Sequence, residues 1–413
     1  MPIPDAPHAL PLVGHLVPLA RDRLAFLAGL HAYGEMVWIR IGPWKALVIT
    51  SADLSDRVLR DDRTFDKGGY LYDRIRETGG NGLVSCAHSD HRRQRRLVQP
   101  VFHRDRLPGY LALMSEQLDE VLGRWRDGGT VDVRADMQSI TARTMLPRGL
   151  PPAVMERMLA DMNVILAGVT WRSIVPKSLD RVPTPANRRY RRAQERLRGV
   201  VADAIGRYRA GDTVHDDLLS GLLASYGAEG DDAEIHDQVL TFLLAGTETT
   251  ANVVSWALHL VAGHPDIERR LRDEEDLARK VVLETMRLYP PVPVLTRITT
   301  KDTELGGHDV PAGTAIAYSP YLVQRQGGHF KDPDRFDPDR WGDGKDVPRA
   351  PFLAFGGGAR RCVGDTFGIA EAELMLSTIT RRWSLRPVPG SRVRPALSLV
   401  LTPRTLRMRA VAA

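Results

Sequence analysis

The chain has 413 residues, of which 43% are hydrophobic and 26% are charged, the balance of a folded globular protein. The formal net charge is +6, but aromatic residues are sparse and no nucleic-acid motif is visible, so we expect no nucleic-acid partner. The two cysteines exclude a disulfide framework and suit a reducing compartment. No run of about 18 apolar residues is present and residues 1–7 do not resemble a signal peptide, so we expect a cytoplasmic protein without a membrane anchor.

Apolar residues at helical spacing predict a mostly helical chain. The helices indicated in this way cover residues 24–33, 51–59, 111–126, 155–169, 186–209, 233–263 and 265–288. Two β-like runs around Gly42-Pro43 predict a hairpin, residues 310–314 lead into a further strand, and residues 397–402 predict a late hairpin. Residues 67–81 are rich in glycine, tyrosine and charge without a clear period, and we expect a loop there. The fold class predicted is mainly α with small β-sheets.

The helix predicted over residues 233–263 is the longest, and at 1.5 Å per residue it would span about 45 Å. Its centre reads Ala-Gly-Thr-Glu-Thr-Thr over residues 245–250. Small residues there would let a flat group approach the backbone. A threonine hydroxyl at this position can compete for a backbone carbonyl and distort the helix locally.

Residues 355–364 read Phe-Gly-Gly-Gly-Ala-Arg-Arg-Cys-Val-Gly. The glycines permit positive φ and close approach to a flat partner, and the two arginines favour the thiolate form of Cys362. An apolar run from Phe367 to Leu376 predicts a helix that begins near this sulfur. A thiolate in this setting is a suitable soft ligand for iron. The alternative is a surface glycine turn with an incidental buried cysteine.

The loop resembles the haem-binding signature of the cytochrome P450 superfamily, Phe-Gly-x-Gly-x-Arg-x-Cys-x-Gly. All of its fixed positions are present: Phe355, Gly356, Gly358, Arg360, Cys362 and Gly364. Residues 245–250 and the Glu284-x-x-Arg287 pair are similar to two further motifs of that superfamily. The resemblance covers nearly the whole chain and implies one single-domain cytochrome P450 fold over residues 1–413, with haem b as the cofactor.

The resemblance also implies roles for individual residues. Cys362 would be the proximal iron ligand, and Arg360, His91, Arg95 and Arg297 would face the haem propionates. The positions it places around the haem are His91, Arg95, Ala245, Arg297, Phe355, Gly356, Arg360, Cys362 and Gly364. A structural ion network is implied for Glu284, Arg287 and Arg340.

The implied reaction is insertion of one oxygen atom from O2 into an apolar small molecule, by hydroxylation or epoxidation. Thr249 would hold a water near the oxygen and Glu248, facing the protein side and solvent, would relay protons. The alternative is that Thr249 only bends the helix and Glu248 forms a structural ion pair. A peroxygenase or isomerase would tend to lack this intact pair, and a non-catalytic haem sensor would not need it.

Family positions place eight residues in a substrate pocket, and most of them are aliphatic, which favours an apolar substrate. They are Leu71, Leu166, Thr170, Leu243, Val292, Val294, Leu295 and Leu399. The chain is similar to actinobacterial oxygenases of secondary metabolism, and a sesquiterpene is the first hypothesis, with macrolides, fatty acids and steroids as alternatives. We expect a monomer that receives electrons from a separate ferredoxin and ferredoxin reductase. Arg92, Arg93, Arg96 and Arg361 would attract the acidic ferredoxin.

The chain departs from the family pattern at two short connections, near Met145–Arg148 and Glu274–Asp276. Either loops have been lost there or residues are missing from the sequence, and we predict missing segments.

Overall fold

A computed structural model describes residues 2–146, 150–173, 175–211, 217–228, 230–344 and 350–413. Its helices are α1 Leu16–Arg21, α2 Arg23–Gly29, α3 Ala52–Arg60, α4 Gly69–Gly79, α5 His88–Val98, α6 Leu107–Leu122, α7 Val133–Met145, α8 Pro152–Arg172, α9 Pro185–Arg209, α10 Leu218–Tyr226, α11 Asp232–Ala262, α12 Pro265–Asp273, α13 Leu277–Leu288, α14 Pro320–Val323 and α15 Asp365–Arg382. Its strands are β1 Met36–Ile41, β2 Trp44–Ile49, β3 Phe65–Asp66, β4 Thr130–Asp132, β5 Leu295–Thr299, β6 Thr303–Leu305, β7 His308–Val310, β8 Ala315–Tyr318, β9 Trp383–Pro387, β10 Arg394–Leu397, β11 Leu401–Arg404 and β12 Arg407–Ala412. The mainly α prediction with small sheets is confirmed.

The chain divides into two compact units, and the first comprises the described residues up to Tyr72 together with Leu283–Cys362. Its sheet has the strand order β1-β2-β8-β5-β3. β1 and β2 form the predicted hairpin around Gly42, which has a φ of 55°. β8 pairs in parallel with β2 and antiparallel with β5, so a strand from late in the chain extends the early hairpin.

The second unit comprises Asp73–Val282 and Val363–Ala413 and contains most of the helices. α11 runs through it and packs against α7, α15 and α9. The core around it is made of leucine, valine, isoleucine, methionine and aromatic side chains, among them Met114, Met162, Ile235 and Phe367. Two small sheets complete the unit, one ordered β4-β12-β9 and one formed by β10 and β11, which is the predicted late hairpin.

The loop predicted over residues 67–81 is wrong in its main part, because α4 occupies Gly69–Gly79. Its buried positions include Arg74 and Thr78, which are polar residues. Arg74 pairs with Glu77 at 3.0 Å and with Asp180 at 2.5 Å, and Thr78 contacts the Tyr190 hydroxyl. The apolar period that indicates a helix is therefore replaced by buried polar contacts with distant parts of the chain.

The helix predicted over residues 265–288 is two helices, α12 and α13, joined by residues 274–276. The N–H of Leu277 donates to the Glu274 carbonyl at 3.3 Å and closes the connection. Three residues therefore suffice to join these helices, and the missing segment stays a prediction. The other short connection, Met145–Arg148, lies partly outside the described residues.

No helix in the described part of the chain combines the length and the hydrophobicity needed to cross a membrane.

Candidate active site

The glycine-rich loop presents Cys362 at the surface of the first unit. The Cys362 N–H donates to the Phe355 carbonyl at 2.9 Å and the Gly356 N–H donates to Leu353 at 2.9 Å, so the loop is a closed turn. The other cysteine, Cys86, is fully buried, whereas Cys362 is exposed. Of the two cysteine residues, only Cys362 is accessible to a ligand.

Two glycines of the loop have left-handed backbones for different reasons. Gly356 has a φ of 67° and open space where a Cβ would project. Gly358 has a φ of 61°, and a Cβ there would lie 2.1 Å from the Leu59 carbonyl oxygen. The loop therefore packs directly on the end of α3, while the side of Gly356 is left clear for a flat group.

Arg297 on β5 is a buried cation whose contacts are with neutral groups. It is 3% exposed and donates to the Tyr72 hydroxyl at 3.2 Å and to the Thr296 carbonyl at 2.7 Å. Burial opposes its charge, but the phenol oxygens of Tyr318 and Tyr72 hold its pKa above the usual value. Among the described residues, no carboxylate lies within ion-pair distance of Arg297. A buried guanidinium of this kind is suited to an anion supplied by a bound group.

Arg360 is also buried, but two carboxylates compensate its charge. Its Nε donates to Asp62 at 3.2 Å and its Nη2 to Asp66 at 2.9 Å. These pairs hold the loop to the segment that follows α3. A haem propionate that contacts Arg360 would have to share the guanidinium with Asp62 and Asp66, which already neutralise its charge. The expected contact between Arg360 and a propionate stays a prediction.

His91 and Arg95 lie four residues apart on α5, in the second unit. His91 is 4% exposed and Arg95 is half-buried, so both are on the inner side of the helix, where residues four apart share a face. Arg92 and Arg96 are exposed. Arg93 is exposed too but is not simply solvated, because it forms an ion pair of 3.0 Å with Glu234.

The centre of α11 contains the predicted hydroxyl and acid. The Thr249 hydroxyl donates to the Ala245 carbonyl at 2.7 Å, which is the competition for a backbone acceptor that the sequence predicts. Ala245 and Thr249 are both half-buried and lie one turn apart on the accessible side of the helix. The donor of the Thr249 hydroxyl is used within the helix, and its oxygen can still accept a hydrogen bond.

The orientation expected for Glu248 is corrected by the structure. The side chain does not face solvent: it is 2% exposed because α7 packs over it. Its carboxylate accepts from Gln138, from Arg134 at 3.4 Å and from Asn252 at 3.5 Å. Burial raises the pKa of Glu248 above its usual value, although Arg134 and the hydrogen bonds act in the opposite direction.

Three of the predicted pocket residues meet in the second unit. The Thr170 hydroxyl donates to the Leu166 carbonyl at 2.9 Å and accepts from the Leu399 N–H at 3.3 Å. The second of these bonds joins the end of α8 to the turn between β10 and β11. Leu166, Thr170 and Leu399 are all half-buried, so each has surface available for a ligand.

Leu243 is 0% exposed and belongs to the hydrophobic core, so its side chain offers no surface to a ligand here, and its place in the pocket stays a prediction. Successive residues of an α-helix point about 100° apart, so the neighbouring position faces the other way. The accessible apolar side chain at this point of α11 is Leu244, one turn before Glu248.

The remaining pocket candidates belong to the first unit. Leu71 lies in the first turn of α4, Leu295 begins β5, and Val292 and Val294 precede that strand. All four are half-buried. They stay predicted pocket residues.

The structure brings the predicted ion network together. Glu284 accepts from Arg287 at 2.8 and 2.9 Å and from Arg340 at 3.0 Å. The Trp341 indole and the Asp337 N–H also donate to it, each at 3.0 Å. Every lone pair of this fully buried carboxylate therefore has a donor, which is what a buried charge requires.

A comparison with protein families decides the identity. The cytochrome P450 family model matches residues 4–409. The chain is a cytochrome P450. Cytochrome P450 enzymes bind haem b, so this one is a haem-thiolate monooxygenase that uses O2, an organic substrate and electrons from redox partners.

The relatives of this cytochrome P450 include several Streptomyces enzymes. Pentalenene oxygenase of Streptomyces avermitilis is 42% identical, over 98% of this chain and 97% of its own length. Cyclooctat-9-en-7-ol 5-monooxygenase of Streptomyces melanosporofaciens is 40% identical, over 94% of this chain and 90% of its own. Cyclooctatin synthase of the same organism is 38% identical, over 98% of this chain and 94% of its own.

The alignment with pentalenene oxygenase extends over 434 positions, more than the 413 residues of this cytochrome P450. That enzyme therefore has residues without a counterpart here, and missing segments at the two short connections stay a prediction.

The residues present in the first unit fit a haem. The accessible Cys362 sulfur suits an iron, and the clear face at Gly356 suits a flat macrocycle. The buried Arg297 guanidinium, which has no carboxylate partner in the described part of the chain, suits a propionate. Sequence reasoning missed Tyr72, which holds Arg297, and Gln138, which holds Glu248. A stripe of polar residues on α7 could have pointed to Gln138, but nothing in the sequence pairs Tyr72 with Arg297.

Proposed function

We propose that this cytochrome P450 oxygenates a cyclic terpene hydrocarbon or terpene alcohol of secondary metabolism. The names of its relatives support this, since one is named for pentalenene, one for cyclooctat-9-en-7-ol and one for cyclooctatin. The candidate pocket residues agree with such a substrate because, apart from Thr170, they are aliphatic. Burying apolar surface contributes about 25 cal/mol per Å2, so such a pocket favours a hydrocarbon skeleton over a charged molecule.

Substrate-induced difference spectra of the ferric protein test this proposal. A panel would contain a tricyclic sesquiterpene, a tricyclic diterpene alcohol, a fatty acid, a steroid and a macrolide. We expect the low-spin to high-spin Soret shift to saturate at the lowest concentration with one of the terpenes. Shifts obtained only with the fatty acid, the steroid or the macrolide would replace the proposed substrate class.

In the proposed site, Cys362 is the proximal ligand and the Arg297 guanidinium holds a propionate. Ala245 and Gly356 leave room for the macrocycle, and His91 and Arg95 give further propionate contacts. When bound, the haem supplies the binding and activation of O2. The reduced protein should give the strongly red-shifted Soret band with carbon monoxide, and Cys362→Ser should lose it. A Cys362→Ser protein that keeps this band would exclude Cys362 as the ligand.

We propose that Glu248 and Thr249 manage protons. Insertion of one oxygen atom and reduction of the other to water consume two electrons and two protons, so the site needs a controlled proton source. Glu248 is a buried acid that directly precedes Thr249 in the sequence. Its raised pKa favours the protonated form, which can donate a proton. Thr249, whose donor is used by Ala245, can accept a hydrogen bond from a water and hold it in place.

The proposed electron source is a separate ferredoxin with its reductase, acting on a monomeric enzyme. The exposed Arg92 and Arg96 on α5 would attract an acidic ferredoxin. We expect Arg92→Glu and Arg96→Glu to slow reduction at low salt without changing substrate binding, and Arg191→Glu on the exposed side of α9 is the matched control. Reduction rates equal to those of the control variant would exclude this surface.

A further inference from the structure

Glu248 is held by a polar arrangement on α7 and α8. The Gln138 side-chain amide donates to one carboxylate oxygen of Glu248. The same amide forms a reciprocal pair with Asn163 on α8: Gln138 donates to the Asn163 oxygen at 3.1 Å, and Asn163 donates to the Gln138 oxygen at 3.3 Å. Gln138 is 5% exposed and Asn163 is half-buried.

The reciprocal pair fixes which end of the Gln138 amide faces the acid. An amide has one oxygen that accepts and one nitrogen that donates, and rotation by half a turn exchanges them. Because Asn163 donates to the Gln138 oxygen, the Gln138 nitrogen is directed toward Glu248. The opposite orientation would place two acceptors against each other, and it would leave the Asn163 N–H without this acceptor.

The other contacts of Glu248 leave Gln138 as the principal neutral donor. Arg134, also on α7, is the charged group that acts on the carboxylate, from 3.4 Å, and 29% of its side chain is exposed. Asn252, on α11 itself, donates at 3.5 Å and also approaches the Thr402 hydroxyl of β11 at 3.4 Å. Both of these bonds lie at the long end of hydrogen-bond distances.

We infer that Gln138 is a positioning residue for the proton chemistry of this cytochrome P450, and that Asn163 sets its orientation. Gln138 holds the Glu248 carboxylate beside Arg134 and stabilises the ionised form of Glu248. After Glu248 gives up a proton, it can therefore take up another from the solvent side of α7. Since Asn163 belongs to α8, the state of the acid depends on where that helix packs. This inference rests on the proposed role of Glu248.

The effect of removing Gln138 has a definite sign. An N–H that donates to a carboxylate favours the charged form, so its loss raises the pKa of Glu248 further. A hydrogen bond to a charged group corresponds to a pKa change of about one to two units. Gln138→Leu should therefore move the titration of Glu248 upward by about that amount. Asn163→Leu should move it less, because the Gln138 amide remains but can rotate.

The experiment is an infrared pH titration of the carboxylic-acid C=O band in the haem-loaded, substrate-free ferric protein. The band of Glu248 is identified by its loss in Glu248→Gln. Gln138→Leu, Asn163→Leu and the wild type are compared, with Arg143→Gln as the control, because Arg143 is on the same helix but pairs with Glu120 at 2.8 Å. In parallel, the yield of product per electron consumed is measured as a function of pH. The pH at which this yield falls on the alkaline side should shift together with the midpoint of the infrared titration.

The outcomes separate this inference from the proposed function. Upward shifts that rank Gln138→Leu above Asn163→Leu, with none in Arg143→Gln, support the inference. Midpoints in both variants that coincide with the wild type overturn it, even if Glu248→Gln loses coupling as the proposed function requires. If Glu248→Gln keeps full coupling while the shifts occur, the positioning is supported and the proton role of Glu248 is wrong. Should Gln138→Leu not fold, Asn163→Leu alone decides, since its side chain is only half-buried.

Discussion

Glu371 on α15 is a buried acid that gives the protein a testable dependence of stability on pH. Its side chain is 0% exposed, and neither carboxylate oxygen has a hydrogen bond of good geometry within the described residues. The Thr250 hydroxyl of α11 is near enough to favour the charged form slightly, but burial dominates and raises the pKa of Glu371 to about 8. We expect Glu371→Gln to stabilise the protein at neutral pH.

The sign and size follow from linkage. Between the usual pKa of 4.5 and the folded value of about 8, the folded protein retains a proton that the unfolded chain has lost. The free energy of unfolding of the wild type therefore falls by about 1.36 kcal/mol for each pH unit in this window. Glutamine does not titrate, so relative to the wild type Glu371→Gln should gain less than about 1 kcal/mol at pH 5 and about 3 kcal/mol at pH 7.

Thermal unfolding of the haem-loaded protein measures this difference. With an unfolding entropy of about 2.1 cal/mol/K per residue, the gain at pH 7 corresponds to a rise in Tm of about 4 °C, and at pH 5 to less than about 1 °C. Glu156→Gln, which removes an exposed carboxyl from α8, is the control and should show no such trend. A Tm difference between Glu371→Gln and wild type that stays constant from pH 5 to pH 8 would refute a buried neutral carboxyl.

Three further predictions address the site and the ion network. Thr249→Ala should still bind haem and substrate and still be reduced, but it should release hydrogen peroxide in place of product, and product formation should fall by at most about 10²–10⁴-fold. If the variant keeps the full product yield per electron, the role of the Thr249–Ala245 hydrogen bond is purely structural. Arg297→Leu should release haem to apomyoglobin faster than wild type, since a propionate would lose its buried cation, and an unchanged transfer rate would argue against that contact. Glu284→Gln should lower the free energy of unfolding by about 3–5 kcal/mol, because Arg287 would remain buried without its carboxylate. A Tm within about 1 °C of the wild type would show that the carbonyl acceptors of Arg287 are enough to stabilise its buried charge.

How far the sequence could be interpreted depends on whether a feature is local. The thiolate loop, the β1–β2 hairpin and α11 are encoded by contiguous residues, and the structure has each of them where the sequence predicts it. The helix α4 was not predictable, since Arg74 takes the place of an apolar residue and is stabilised by Asp180 from a distant segment. Arg360 could not be told apart from Arg297 in sequence, because only the folded chain shows that one has carboxylate partners and the other has tyrosines.

The polar face of α7 explains why the acid of α11 can be buried at all. Gln138, Thr141 and Thr144 recur every three residues and are each at most 5% exposed, so α7 packs with polar groups at a contact that is normally apolar. The Thr141 hydroxyl donates to the Thr247 carbonyl at 2.9 Å, one residue before Glu248, and Gln138 donates to Glu248 itself. A burial of this kind costs stability unless each polar group finds a partner, and an apolar residue at position 138 would leave Glu248 with Arg134 and Asn252 alone. The polar spacing on α7 is therefore accounted for by the acid that it covers, and chains that replace Glu248 by an apolar residue should be free to replace Gln138 as well.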